Sequence, residues 1–223
     1  MLHCTICAGS RETAPSGVEA TSTTERTTMD TFSGLSGTIR KLFAADLPAF
    51  RAHLLRLDPA SRHSRFIGVV TDAYLADYAD RCLASRGLVF GYVEGGIVRG
   101  AAELQPFEIG GERRAEAAFS VERGWRRRGI GSALFARLLV SARNRGVAAL
   151  VVNCMSENGA MRALARRFSA EIAFERGDLI GTIRGLGPTP FSLAEEMIDD
   201  AHGLAMSALD YQRHFMAPPQ AQN

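Results

Sequence analysis

Apolar positions change period several times along the chain, and each change predicts an element. Residues 38–42 read as a short strand. Asp46 precedes a helical run over 47–57, with Pro48 in the first turn, where its missing N–H costs nothing. Thr71 is placed to cap a second helix whose stripe is Tyr74, Leu75, Tyr78 and Cys82. Residues 88–93, the turn Glu94-Gly95-Gly96 and residues 97–104 form strand, turn and strand. Residues 115–121 alternate, with Glu116, Ala118 and Ser120 on one face and Ala117, Phe119 and Val121 on the other. Ile130, Leu134, Leu138 and Ala142 then recur every four residues with Ala133 filling the stripe, which predicts an amphipathic helix over 130–145 with Arg137, Arg143 and Arg145 mostly outside it. Gly146 ends that helix, and 147–155 is apolar and β-branched enough for a buried central strand. A hairpin of 171–175 and 179–184 around Arg176-Gly177-Asp178 comes later. Leu193, Met197, Ile198, Leu204 and Leu209, with acidic residues between, predict a last amphipathic helix within 191–215, which Pro218-Pro219 ends. That helix lies on its own domain or pairs with a second subunit.

The joint between the strand at 115–121 and the helix at 130–145 carries Arg126-Arg127-Arg128-Gly129-Ile130-Gly131. A glycine-rich turn at a helix start aims several N–H groups at one point, and the helix dipole adds partial positive charge there. Gly129 and Gly131 have no side chain to hold phosphate oxygens away, and the arginines add fixed charge. The expected occupant is the pyrophosphate of a nucleotide-bearing cofactor, held by Arg126, Arg127, Arg128, Gly129, Ile130, Gly131 and Ser132. For the hexapeptide alone, an Arg/Gly-rich helix start on a solvated surface is the plain alternative. A dinucleotide fingerprint needs a third glycine where Leu134 stands and an acidic residue near Asn153, and has neither. A Walker loop ends in Gly-Lys-Ser/Thr, whereas Lys41 lies far upstream.

Arg-x-x-Gly-x-Gly between a strand and an amphipathic helix resembles the acetyl-CoA loop of the GNAT superfamily of N-acetyltransferases. Downstream, the segment from Asn158 to Phe168 is similar to the superfamily's Asn-led helix, which closes one side of the cofactor groove. Asn158 is therefore a groove candidate; as a plain helix start it also reads as a cap, and the two roles coexist. The order β-α-α-β-β-β-α-β-α-β-β over residues 37–186 is the superfamily's as well. The resemblance implies an α/β fold with a mixed, mostly antiparallel central sheet flanked by helices and splayed at the cofactor groove. It implies acetyl-CoA as donor, with its pantetheine along Phe119, Ser120 and Val121 and its thioester carbonyl polarised by a backbone N–H.

One branch is closer than the rest. The run Leu57-Asp58-Pro59-Ala60-Ser61-Arg62-His63-Ser64-Arg65-Phe66 is similar to a Leu-Ser-Pro-x-Ser-x-x-x-Arg-Phe segment of bacterial protein-lysine acetyltransferases, whose catalytic domain is often fused to regulatory or synthetase-like domains; no such partner domain is expected here. That branch carries Ala-Glu-Phe-Ala on the strand before the loop, its Glu acting as general base. Ala115-Glu116-Ala117-Ala118 matches with one substitution, which makes Glu116 the catalytic candidate. An amine is protonated near neutral pH and must lose a proton before or during attack on the thioester, and a carboxylate can take it. Glu103, on the preceding strand, competes for the task or shares it. Many superfamily members protonate the leaving thiolate with a Tyr on the Asn-led helix. Here that position is Ala165; water substitutes, and Ser156 and Cys154 are weaker candidates. Ser169-Ala170 also replaces the usual Gly-Phe. The expected reaction is direct acetyl transfer to a primary amine, a protein lysine by the branch resemblance. A small-molecule amine, or a non-catalytic acyl-CoA-binding regulatory module, is the alternative.

Composition adds limits. At 223 residues and 46% hydrophobic the chain can bury a sizeable core, and no apolar run is long enough to span a bilayer. A net charge of +2, with the arginines gathered at 123–128, gives no ground for nucleic-acid binding. Four cysteines make no disulfide framework and fit a reducing cytoplasm, and Cys4 and Cys7 with His3 lack the second pair that a metal site would need. Residues 1–36 read as a disordered tail without a signal-peptide core, with Met29 as an alternative start; residues 37–186 read as the catalytic domain and 187–223 as a helical extension and tail, a homodimer remaining open.

Overall fold

The computed structural model describes residues 35–175 and 178–216. The elements run β1 (Thr38–Lys41), α1 (Leu47–Arg56), α2 (Pro59–Phe66), α3 (Asp72–Ala84), β2 (Leu88–Glu94), β3 (Ile97–Ile109), β4 (Glu112–Val121), α4 (Ile130–Asn144), β5 (Ala149–Met155), α5 (Gly159–Arg167), β6 (Glu171–Glu175), β7 (Asp178–Arg184) and α6 (Pro190–Met216). Seven strands form one sheet in the order β1-β2-β3-β4-β5-β7-β6, antiparallel everywhere except between β4 and β5. No helix among the described residues is long and apolar enough to cross a membrane.

The order matches the expectation with one helix added, α2. Asp58 caps it by accepting from the backbone N–H of Ser61 at 3.1 Å, Pro59 fits its first turn, and Ile67 closes it in a left-handed conformation at φ 50°. The strands β3 and β4 also extend past 104 and before 115, into a hairpin whose turn is Gly110-Gly111, both at positive φ. The expected turn residues Arg176 and Gly177, the Cys4/Cys7 pair, Met29 and Pro218-Pro219 lie outside the described residues.

Period-two alternation sends alternate strand residues into two cores. Phe90, Tyr92, Leu104, Ala115 and Ala117 pack with Ile130, Leu134 and Leu138 of α4 on one face. Val89, Val93 and Ala101 pack with Phe50 and Leu54 of α1 and Leu75, Ala79 and Cys82 of α3 on the other. Each fully buried large apolar side chain contributes about 1.5–3 kcal/mol, so the sheet between these layers is the rigid frame of the molecule. A stacked aromatic file, Phe119 to Phe135 at 5.0 Å and Phe135 to Phe168 at 4.4 Å, ties β4 to α4 and to the end of α5.

Arg137 departs from the expectation. It does not sit outside the apolar stripe of α4 but is buried, 6% exposed, because α6 covers that side of the helix. Its guanidinium pairs with Asp200, reaches Asp199 at 3.3 Å and lies over the ring of Phe90 at 5.0 Å. Asp199's own carboxyl is pushed up by burial, which outweighs the Arg137 charge. Glu196 of α6 joins the same layer, accepting from Ser141, Asn144 and Arg145 at 2.7–2.8 Å. Gly203 allows α6 to lie on β1, since an added Cβ would meet the Arg40 Cβ at 2.9 Å. Polar pairs thus dock α6 on its own domain where its sequence showed only an amphipathic stripe.

Candidate active site

The parallel ladder between β4 and β5 is short. Arg114, Ala115 and Glu116 pair with Ala149, Leu150 and Val151, and no pairing follows, so the two strands part at Glu116. The N–H of Ala148 donates to the carbonyl of Arg113, and alternation from there turns the backbone groups of Phe119 and Val121 toward the opened edge. A strand edge without its neighbour presents unpaired N–H and C=O groups at the centre of the sheet. Such a wedge admits an extended chain carrying amide groups.

At the end of the wedge lies the arginine loop. Arg127 at φ 65° and Gly129 at φ 86° turn the chain sharply, and Gly129 caps α4 with no side chain bonded to the helix start and no acidic residue in its first turn. Among the described residues no side chain caps the first N–H groups of α4, the condition for holding an anion. No atom lies within 4 Å of a Cβ built on Gly129 or Gly131, so the cradle is open. Arg128 lies over the Trp125 ring at 4.6 Å, and Arg99 over the same ring at 5.1 Å. Arg126 turns back instead: its Nε donates to the Val121 carbonyl at 3.1 Å and its Nη2 to Ser61 Oγ. Arg127 and Arg128 are exposed. An uncapped helix start, two open glycines and surrounding arginines fit the pyrophosphate of coenzyme A, and the wedge fits its pantetheine arm.

The two candidate bases have different surroundings. Glu103 is 1% exposed. Its carboxylate pairs with Arg65 at 2.9 Å and accepts from the Tyr78 hydroxyl and, at 3.3 Å, from Cys82 Sγ. Burial raises the pKa of Tyr78 and of Cys82, and the Glu103 charge adds to both shifts. Arg65 keeps its charge against burial because Glu103 and Tyr78 face it. Glu116 lies at the last position of β4 paired with β5, half-buried, with Asn153 Nδ2 donating to its Oε1 at 3.1 Å.

Behind the half of β4 that β5 leaves sits a group that the sequence did not single out. His53 is fully buried, its Nε2 2.9 Å from Ser120 Oγ and its Nδ1 3.2 Å from Glu122 Oε1. Burial lowers its pKa despite the Glu122 charge, so the ring is neutral, donating from Nδ1 to Glu122 and accepting the Ser120 hydroxyl at Nε2. Hydrogen bonds from His53, Arg99 and Arg56 hold the Glu122 carboxyl below the usual range against its own burial. Arg99 reaches it from a bulge: Tyr92 pairs with Gly100 and Val93 with Val98, which leaves Arg99 unpaired. The signal for His53 was in the sequence, since it stands at helical spacing among Phe50, Leu54 and Leu57.

The remaining candidates lie around the same wedge. The Ser120 side chain is engaged by His53, and the Phe119 ring stacks on Phe135. Asn158 accepts from the Met161 N–H at 3.1 Å as the cap of α5, which starts just past β5. Ala165 is 1% exposed and faces Gly181, where an added Cβ would lie 3.5 Å from its own. Ser169 holds the left-handed position at φ 56° that closes α5, a place that favours glycine.

A splayed parallel pair with an uncapped helix start at its mouth is the arrangement that an acyl-CoA-binding site requires. Residues 53–170, more than half of the chain, match the family model described as Acetyltransferase (GNAT) family, and the chain belongs to that family. Solved structures agree on the fold. The GNAT domain of S. lividans PAT is 18% identical, with a TM-score of 0.61 over 69% of this chain and 93% of that one. A ribosomal-protein-alanine N-acetyltransferase from Brucella melitensis is 25% identical, with a TM-score of 0.52 over 66% and 99%. A putative acetyltransferase from Salmonella typhimurium, solved with its cofactor acetyl-CoA, is 19% identical, with a TM-score of 0.50 over 67% and 94%. The protein is an N-acetyltransferase that takes its acetyl group from acetyl-CoA.

Proposed function

We propose that the chain acetylates a primary amine carried by a protein, a lysine side chain, with Glu116 as general base, and that residues 37–186 form the catalytic unit. The observation that carries the assignment of the base is the contrast between the two carboxylates. Glu103 is occupied by a buried cation, whereas Glu116 stands half-buried where β4 and β5 part, held by Asn153 alone among the described contacts. A base has to exchange protons with an incoming amine, and Glu103 would leave Arg65 without its counter-charge by doing so.

The other parts follow from the wedge. The helix start at Gly129, Ile130, Gly131 and Ser132, with Arg126, Arg127 and Arg128, holds the pyrophosphate. Backbone groups of Phe119 and Val121 align the pantetheine arm, and the N–H of Phe119 donates to the oxygen on which charge develops. Asn158 closes the β5 side. Glu116 accepts the proton of the attacking amine directly or through one water. With Ala165 where a hydroxyl would otherwise stand, the thiolate takes its proton from water, which its thiol-like basicity allows.

The protein acceptor rests on the segment from Leu57 to Phe66, which works as one unit. Leu57 is buried, Asp58 caps α2 by accepting from the Ser61 N–H, the Ser61 hydroxyl accepts from Arg126, Arg65 holds Glu103, and the Phe66 ring meets Tyr78 edge-on at 5.1 Å. This resemblance to the protein-lysine branch favours a protein over a small amine. The test is acetyl-CoA turnover against lysine-bearing proteins and peptides beside a panel of small amines, with the products read by mass spectrometry. Acetyl-lysine formed at rates well above the small amines supports the reading; turnover confined to small amines overturns it.

A further inference from the structure

Helix α6 lies outside the matched family region and carries six of the large apolar side chains that the protein exposes: Phe191, Leu193, Met197, Ile198, Leu204 and Leu209, between 45% and 73% accessible. At 3.6 residues per turn its positions divide cleanly. Ser192, Glu196, Asp199, Asp200 and Gly203 point toward α4 and β1. The opposite face is made of Leu193, Ala194, Met197, Ile198, Ala201, Leu204, Ala205, Ala208 and Leu209, with exposed His202 at its margin. Ala194, Ala201 and Ala208 stand seven residues apart, with Met197 and Leu204 between them, which is the heptad spacing of a coiled-coil seam.

We propose that this face is the contact between two copies of the chain, paired as antiparallel α6 helices about a twofold axis at Ala201. The argument is the symmetry of the sequence about that residue. Counting outward from Ala201, Ile198 mirrors Leu204, Met197 mirrors Ala205, Ala194 mirrors Ala208 and Leu193 mirrors Leu209. An isologous contact needs this property, because residue i of one copy meets j of the other while j meets i. Each mirrored pair puts apolar against apolar, and the alanines on the centre line let the two backbones approach closely. The antiparallel arrangement also opposes the two helix dipoles.

Size and charge select the same occupant. With each exposure scaled by the ~200 Å² of a large side chain, Leu193, Met197, Ile198, Leu204 and Leu209 present roughly 570 Å² per copy, so two copies exceed the ~1,000 Å² that a specific interface requires. A shallow hollow lined by Lys41, Phe43, Asp200, Gly203 and Leu204 borders the face. An anionic lipid surface would call for basic margins, but the flank carries Glu195, whose carboxyl is pushed up by burial and by the Asp199 charge beside it.

The test is the mass of the full chain in solution together with disulfide trapping. Sedimentation at micromolar concentration is expected to give twice 24.1 kDa, and Ala201→Glu, which sets two carboxylates on the axis at an exposed position, is expected to weaken association about 100-fold or more. In a Cys4→Ser, Cys7→Ser background, Ala201→Cys is expected to cross-link rapidly on mild oxidation. Ala194→Cys is not, because the two copies of residue 194 would lie roughly 20 Å apart along the antiparallel pair. A monomeric wild type overturns the proposal. So does cross-linking of Ala194→Cys as readily as of Ala201→Cys, which would mean parallel pairing.

Discussion

Replacing Glu103 by Gln separates a structural carboxylate from a catalytic one. The side chain is 1% exposed, and its charge faces the Arg65 guanidinium at 2.9 Å, itself only 12% exposed. Glutamine keeps the shape but leaves a buried cation without its anion, and breaking such a pair from one side costs about 3–5 kcal/mol. For a domain of this size each kcal/mol moves the midpoint by roughly 2–4 °C, so a fall on the order of 10 °C is expected. Removing both charges, as in Glu103→Leu with Arg65→Met, is expected to recover most of the loss, because no orphaned ion remains. Stability is read by thermal and urea unfolding, and transfer by thiol release well below the transition. The Glu103→Gln protein that stays folded is expected to transfer acetyl groups within a few-fold of wild type. An unchanged midpoint with a rate reduced 100-fold or more would refute this reasoning and make Glu103 the base.

Other outcomes follow from the same contacts. Gly129→Ala forces a side chain into a conformation at φ 86°, which costs about 1–2 kcal/mol, and intrudes on the anion cradle; calorimetry is expected to show acetyl-CoA binding weakened at least tenfold. Arg137→Met is expected to loosen α6, seen as faster amide exchange across 192–207 with little change in β4 and β5, because Asp199 and Asp200 lose their shared cation. His53 is neutral in the fold, its pKa lowered by burial, while the unfolded chain binds a proton near pH 6.5. Native stability is therefore expected to fall as pH drops below about 6.5 toward the lowered value, and urea midpoints of His53→Gln are expected to lose that slope. Glu196 acts at lower pH: against burial, hydrogen bonds from Ser141, Asn144 and Arg145 hold its carboxyl down to about 2. Its contribution is present above the ordinary carboxylate value and disappears as pH falls toward 2, read as the loss of α6 helicity by circular dichroism.

The elements with regular periods were legible in advance. The alternation of 115–121 and the four-residue stripe of α4 placed the loop at their joint, and Thr71 and Asn158 cap the helices they were expected to cap. What was missed depends on tertiary contacts or on short signals. The segment from Pro59 to Phe66 read as a motif because its one buried residue is Ser61, although Asp58-Pro59 is an ordinary helix start. The Gly110-Gly111 turn was available as a dipeptide signal and would have extended the hairpin. Burial of Arg137 was not readable, since it depends on α6 returning from some 60 residues away with Asp199 and Asp200. The surroundings that set Glu103 apart from Glu116 likewise could not be read from strand patterns, because Arg65 and Tyr78 arrive from two other helices.

The measurement that bears most directly on the account is the rate of coenzyme A thiol release by Glu116→Gln relative to wild type, on an accepted lysine substrate and at saturating acetyl-CoA, with acetyl-CoA affinity measured on both proteins. The account predicts a rate lower by about 10² or more, equivalent to at least about 2.7 kcal/mol of transition-state stabilisation, with affinity unchanged because Glu116 stands where β4 and β5 part, away from the arginine loop. A variant that transfers within about threefold of wild type would contradict it.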